Sequence, residues 1–158
     1  MKNIAIFASG SGSNAENIIC HFAQKPEFCV KRIYCNVPDA FVLERAKKYD
    51  IPTTVFDRQA FRDPEKILHQ LEEEQTDFIV LAGFLWLIPD FIIAAYPNRI
   101  VNIHPALLPS YGGKGKECTG TMYTKLSLQP KSKRVVSPFI LSTNTMTLVL
   151  SYFKQNVR

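Results

Sequence analysis

The chain has 158 residues, 46% of them hydrophobic and 21% charged, which suits one soluble domain able to bury a core. The start, Met1-Lys2-Asn3-Ile4-Ala5-Ile6-Phe7, runs at once into glycines and polar residues, too short an apolar stretch for a signal peptide or a membrane span, so a cytoplasmic protein without a membrane partner is expected. The net charge of +5 is unevenly placed: residues 1–115 hold 12 Lys/Arg against 13 Asp/Glu, whereas residues 116–158 hold 7 against the single Glu117. The basicity belongs to the tail, which lacks the dense clusters of a phosphate-binding arm, so no nucleic-acid partner is expected. Cys20, Cys29, Cys35 and Cys118 show neither CxxC spacing nor nearby matched histidines. Buried reduced thiols are expected, with no metal.

Residues 3–9 form an apolar run of the buried-strand type, followed by the turn Ser9-Gly10-Ser11-Gly12-Ser13-Asn14 and a helical pattern from Ala15 to Ala23. A second run, Val30 to Cys35, leads to Asn36-Val37-Pro38-Asp39, where Asp39 is placed to cap a helix from Ala40 to Tyr49. Asp50-Ile51-Pro52 breaks that helix, and Thr53 to Phe56 is a short strand candidate. Asp63, Pro64 and Glu65 supply a cap, a first-turn proline and an acidic first turn for a helix with Ile67, Leu68 and Leu71 as its apolar stripe. Phe78 to Ala82 is continuously apolar, as in a central parallel strand covered on both faces, and Arg99 to Ile103 reads as a further buried strand. Strands alternating with helices predict an α/β fold: a Rossmann-like, mostly parallel sheet with helices on both faces. After Gly115 only Thr147 to Phe153 suggests a strand.

Three motifs suggest chemistry. The glycine turn lies between strand and helix, where free N–H groups and the helix dipole favour an anion; it lacks the Gly-Lys-Ser/Thr of a P-loop and the third glycine of the dinucleotide fingerprint, and serves equally well as a plain tight turn. Leu81 to Pro89 follows the central strand at its carboxyl end, where it could wall a flat heterocycle or tuck into the core. Asn102 and His104, two apart at a strand end, would project to one side. An amide there can bind a developing oxyanion, and an imidazole can exchange a proton near neutral pH. His104 by itself reads more readily as a hydrogen-bonded structural histidine than as a catalyst, and its coupling with Asn102 at a strand end modestly reverses that order. His21, His69, Asp90 and the run Glu72-Glu73-Glu74 are expected at solvent-facing positions.

Taken together, IAIFASGSGSN, DAFVLERAKKYDI, DFIVLAGFLWLIP and RIVNIHPALLPSYGGKG resemble the phosphoribosylglycinamide formyltransferases, folate-dependent enzymes of purine (IMP) biosynthesis. The resemblance covers residues 1–115 almost continuously. It implies the formyltransferase fold, 10-formyltetrahydrofolate as co-substrate, 5-phosphoribosylglycinamide as acceptor and no metal. It further implies that Gly12, Ser13 and Asn14 bind the substrate's phosphate, and that Leu85, Trp86, Leu87 and Ile88, with Asn102, meet the pterin. Asn102 and His104 are implied to act on the formyl group. The family also pairs its histidine with an aspartate from a downstream DxG turn, whereas this chain has no aspartate after Asp90.

The tail fits family sequence read in another frame. With the codons GAA TGT ACG GGA ACG ATG TAC ACG AAG CTG for Glu117 to Leu126, reading from the third base yields MYGNDVHEA, close to the family's continuation after GGKG. The same operation on Ser137 to Gln155 permits TIHFINEHYDVGTVIFQA, which contains the absent aspartate. Two motifs recovered in one constant register, beside eleven Ser/Thr and one acid in residues 116–158, point to a frameshift product after a native segment of 1–115. Two functional readings follow: a formyltransferase with impaired activity, or a catalytically dead remnant that binds only the phosphoribosyl substrate. A nicotinamide-dependent oxidoreductase ranks below both, because Asn36 stands where an acid would hold a ribose hydroxyl.

Overall fold

The computed structural model describes residues 1–103 and the strand at 137–139. The chain divides into two units, Met1–Ile100 and Val101–Arg158. In the first unit the strands are β1 (Lys2–Ala8), β2 (Phe28–Cys35), β3 (Thr53–Val55) and β4 (Phe78–Ala82), and the helices are α1 (Ser13–Phe22), α2 (Phe41–Lys48), α3 (Arg58–Phe61), α4 (Pro64–Glu73) and α5 (Asp90–Ala95). The strands lie in the order β3-β2-β1-β4 and every pair is parallel. In the second unit β5 (Ile100–Ile103) pairs in parallel with β6 (Ser137–Phe139), Asn102 opposite Pro138. The tail thus contains a strand at 137–139; the candidate at 147–153 lies outside the described residues.

This order places helices on both faces. The chain steps outward from β1 through β2 to β3, then returns past β1 to form β4. With right-handed crossovers, α1 and α2 cover one face, and α3 and α4 cover the other. The reversal between β1 and β4 is a topological switch point, where the strands' carboxyl ends leave a crevice for ligands. β1 and β4 are apolar without alternation because both faces are covered: Ile4 to Ala8 have no exposed surface, and Phe78 to Ala82 are all buried. Phe7 stacks on Tyr34 with ring centroids 4.7 Å apart, anchoring an aromatic core.

The helix ends explain where the sequence reading holds and where it departs. At α4, Asp63 accepts from the Glu65 N–H at 3.1 Å with Pro64 in the first turn, as its composition predicts. At α2, by contrast, Asp39 does not cap. The boundary residue is Ala40, and the Val42 N–H donates to the Gly10 carbonyl at 3.1 Å, so a distant turn satisfies a donor the cap would have taken. α2 and α4 both end in Schellman motifs without glycine, through Asp50 and Gln75 at positive φ of 55° and 50°. The short helices α3 and α5 have too few turns to show a period, although Asp57 caps α3 by accepting from Ala60 at 2.8 Å.

Three expectations about single residues need correction. Glu74 does not face solvent: it pairs with Arg32 and accepts from the Tyr34 hydroxyl at 3.2 Å, because α4 lies over β2 at its end. Burial, then the charge of Glu74 and its hydrogen bond, pushes the Tyr34 phenol well above its ordinary range. Among the cysteines, Cys35 is buried and Cys29 half-buried, but Cys20 is exposed on α1 beside the Tyr49 hydroxyl, since it falls on the solvent side of that helix; all three are free thiols. Cys118 lies outside the described residues.

His21 is half-buried, edge-on to Phe22, with a buried Nε2 that has no hydrogen-bond partner. Burial, and secondarily the charge of Lys25, lowers its pKa. A folded-state pKa below the unfolded value means that the unfolded chain binds more protons. Stability is then complete above about pH 6.5 and falls as pH drops through the folded-state pKa. Urea midpoints measured from pH 7.5 to 5 are expected to fall less steeply in a His21→Gln chain; identical slopes would show that other groups carry the dependence.

Candidate functional site

Two loops meet at the switch point. The first is the turn from Ser9 to Gly12, which enters α1. Gly12 stands at the N-terminal boundary of α1 with φ 75° and ψ 17°, in the left-handed region, and supplies no side-chain cap. A Cβ there would lie 2.5 Å from Cγ2 and 2.8 Å from Cα of Val42, so glycine is required by backbone angle and close packing together. The Glu16 N–H donates to the Gly12 carbonyl at 2.8 Å to begin the helix. The preceding N–H groups, including those of Ser13 and Asn14, have no intrahelical acceptor. Without a capping side chain, that end of the dipole can receive an anion.

The second loop follows β4. Gly83 takes φ 72° and turns the chain out of the sheet, after which alternate side chains diverge. Phe84 and Trp86 point inward: Phe84 lies 5.5 Å from Phe7 and 5.4 Å from Phe61, while Trp86 lies 6.0 Å from Phe56, with Arg58 5.1 Å above its ring. Leu85 and Leu87 are 81% and 84% exposed, and Ile88 is half-buried. The sequence offered a pocket wall and a core loop as alternatives; Phe84 and Trp86 pack on the aromatic core, and Leu85 and Leu87 are left facing solvent. Its inward aromatics hold it, and its outward leucines form an apolar lip.

A hydrogen bond ties the two loops together: the Leu85 N–H donates to Oγ of buried Ser9 at 2.9 Å. Sequence reasoning missed Ser9, Val42 and Phe84 as supports of the site. The exposed leucines and Gly12 to Asn14 therefore belong to linked segments at the carboxyl ends of β4 and β1.

In the second unit, Asn102 sits on β5, half-buried between buried Val101 and Ile103, with its side chain on the face opposite theirs. His104 and residues 105–115 lie outside the described residues. Among the described residues, no group of three His, Cys, Asp or Glu could hold a metal ion, and no helix is long and apolar enough to cross a membrane.

Comparison with known proteins agrees with this arrangement. The family described as formyl transferase matches residues 2–123, which takes in all of 2–115 and the first eight residues of the tail. The phosphoribosylglycinamide formyltransferase of Bacillus subtilis is 36% identical over 118 residues, covering 72% of this chain and 60% of the relative. That of Escherichia coli is 37% identical over 117 residues, covering 70% and 55%. Among solved structures, the phosphoribosylglycinamide formyltransferase of Bacillus halodurans is 42% identical with a TM-score of 0.64, covering 72% of this chain and 61% of that one. Glycinamide ribonucleotide transformylase 1 of Geobacillus kaustophilus is 39% identical with a TM-score of 0.63, covering 72% and 63%. The chain thus spans under two thirds of the length of these relatives. The parallel sheet with its switch point, the glycine turn and the match from Lys2 onward agree, and the chain belongs to the formyl transferase family.

Proposed function

We propose that this chain binds 5-phosphoribosylglycinamide through Gly12, Ser13 and Asn14, and carries part of the machinery that moves a formyl group to it from 10-formyltetrahydrofolate. The observation that carries this reading is the uncapped, glycine-bounded start of α1 at the switch point, in a chain of this family. The exposed faces of Leu85 and Leu87, with the main chain beside them, suit a flat pterin better than a charged ligand. Trp86, packed on Phe56 and Phe61, supports that wall from within, and half-buried Ile88 completes the segment. In the transfer, the acceptor amine attacks the formyl carbon, a tetrahedral oxyanion forms, and the bond to the folate nitrogen breaks with a proton delivered to it. The Asn102 amide would donate to that oxyanion, and His104 would move the proton.

A specific observation favours impaired catalysis: none of residues 91–158 is an aspartate, so this stretch supplies none to hold the histidine charged and oriented. The second reading, binding without turnover, rests on the same fact. Titrating the full chain with 5-phosphoribosylglycinamide in a calorimeter, beside an assay for formyl transfer, separates the two. Saturable binding with very weak transfer is expected. Absence of binding would refute the phosphate site, and turnover at the rate of an intact family enzyme would refute the impairment.

A further inference from the structure

We infer that Arg45, on α2, is a positioning residue for the phosphate turn: it holds the Ser11 carbonyl so that the Gly12 N–H faces the anion. The inference rests on the phosphate reading of that turn. Arg45 Nε donates to the Ser11 carbonyl at 2.8 Å, and the Val42 N–H donates to the Gly10 carbonyl at 3.1 Å. In a planar trans peptide the carbonyl and the following N–H point in opposite directions. Drawing two successive carbonyls toward α2 therefore turns the N–H groups of Ser11 and Gly12 away from it, as a main-chain anion cradle requires. The close seat of Gly12 on Val42 prevents the turn from relaxing toward α2.

Arg45 does a second thing at the same place. Glu16, in the first turn of α1, would repel an anion bound there. Its carboxylate is instead engaged by Nη1 of Arg45, by Lys48 at 3.3 Å and by the Tyr49 hydroxyl at 3.0 Å. One guanidinium thus binds a carbonyl through Nε and a carboxylate through Nη1 while lying 5.0 Å from the Phe41 ring centroid. A lysine ammonium, a point charge without that planar fork, cannot hold both in the same geometry. The Arg45 and Glu16 side chains are only 26% and 18% exposed, so removing the guanidinium also costs stability, while Lys48 and the Tyr49 hydroxyl keep the Glu16 carboxylate paired.

The test titrates the full chain with inorganic phosphate and with 5-phosphoribosylglycinamide while following backbone amide signals by nitrogen-15 NMR. Arg45→Met keeps the aliphatic stem and removes the donors. It should shift the Gly12 nitrogen, which senses the bond to the preceding carbonyl, and weaken both ligands about tenfold at a temperature where the variant remains folded. Arg45→Lys, which restores charge alone, should recover less than half of that loss on a logarithmic scale. Glu16→Gln leaves the Ser11 bond in place and should bind at least as tightly as the parent. If Arg45→Met does not fold, Arg45→Lys carries the same two readouts. Binding within twofold of the parent despite a displaced Gly12 signal, or full recovery in Arg45→Lys, would overturn the inference alone. Failure of the parent chain to bind either ligand would overturn the phosphate reading, and this inference with it.

Discussion

If residues 116–158 are a frameshift product, restoring the frame is expected to raise formyl transfer by on the order of 10³-fold over the 158-residue chain. Positioned proton transfer contributes about 10²–10⁴-fold in enzymes, and an imidazole performs it well only when its charge and orientation are set by a partner. On that reading the restored sequence supplies an aspartate in HYDVG, whereas Glu117 is the one carboxylate side chain of the present tail and the rest of its uncharged polar groups are mainly hydroxyls and amides. A hydroxyl can orient the imidazole, but it cannot raise its pKa as a carboxylate does. The two purified chains would be compared by single-turnover and steady-state transfer assays, after sequencing the gene across the codon for Lys116. Rates within tenfold of each other would show that the aspartate is dispensable here. Codons incompatible with the shifted reading would sink the frameshift itself.

Substituting Gly12 is expected to produce the largest loss of stability among single changes at the turn. In Gly12→Ala the new Cβ meets Val42 atoms at 2.5, 2.6 and 2.8 Å, the last of them main chain, so no rotamer change relieves the contact. Left-handed backbone and overpacking together should cost roughly 2–4 kcal/mol, a large part of a total that is usually about 5–15 kcal/mol. Thermal unfolding should then move down by roughly 10 °C. Gly10→Ala is the control: its Cβ would meet nothing within 4 Å, and its midpoint should hardly change. Combining Gly12→Ala with Val42→Ala should recover part of the loss, because the pair is in contact and its effects will not add. An unchanged midpoint in Gly12→Ala would mean that the turn and α2 are not packed as described.

The same contact shows where local sequence signals stop. Asp63 with Pro64 announced a helix start correctly, since a cap and its helix lie within three residues of each other. Asp39 stands beside a real helix start but does not cap it, since the donor at the start of α2 is met by Gly10, 32 positions away. Glu74 closes a run of three acids and looks solvated, yet Arg32 from β2 lies over it. A pattern read over ten residues registers periods and caps, but not partners drawn from another element.

The candidate site divides in the same way. A glycine turn after a buried strand, and an apolar loop after another, could be read from the chain alone because strand ends and turns are local. So could the family, through long runs of motif, and the change of character after Gly115. Only the tertiary structure decided that Ser9 ties the two loops together, and that Trp86 faces the aromatic core while Leu85 and Leu87 face solvent. It also brought Arg45, more than thirty positions from Ser11, to that carbonyl. These outcomes depend on strand order, β1 beside β4 with α2 packed on α1, and that order is set by which apolar faces are buried together across the whole unit.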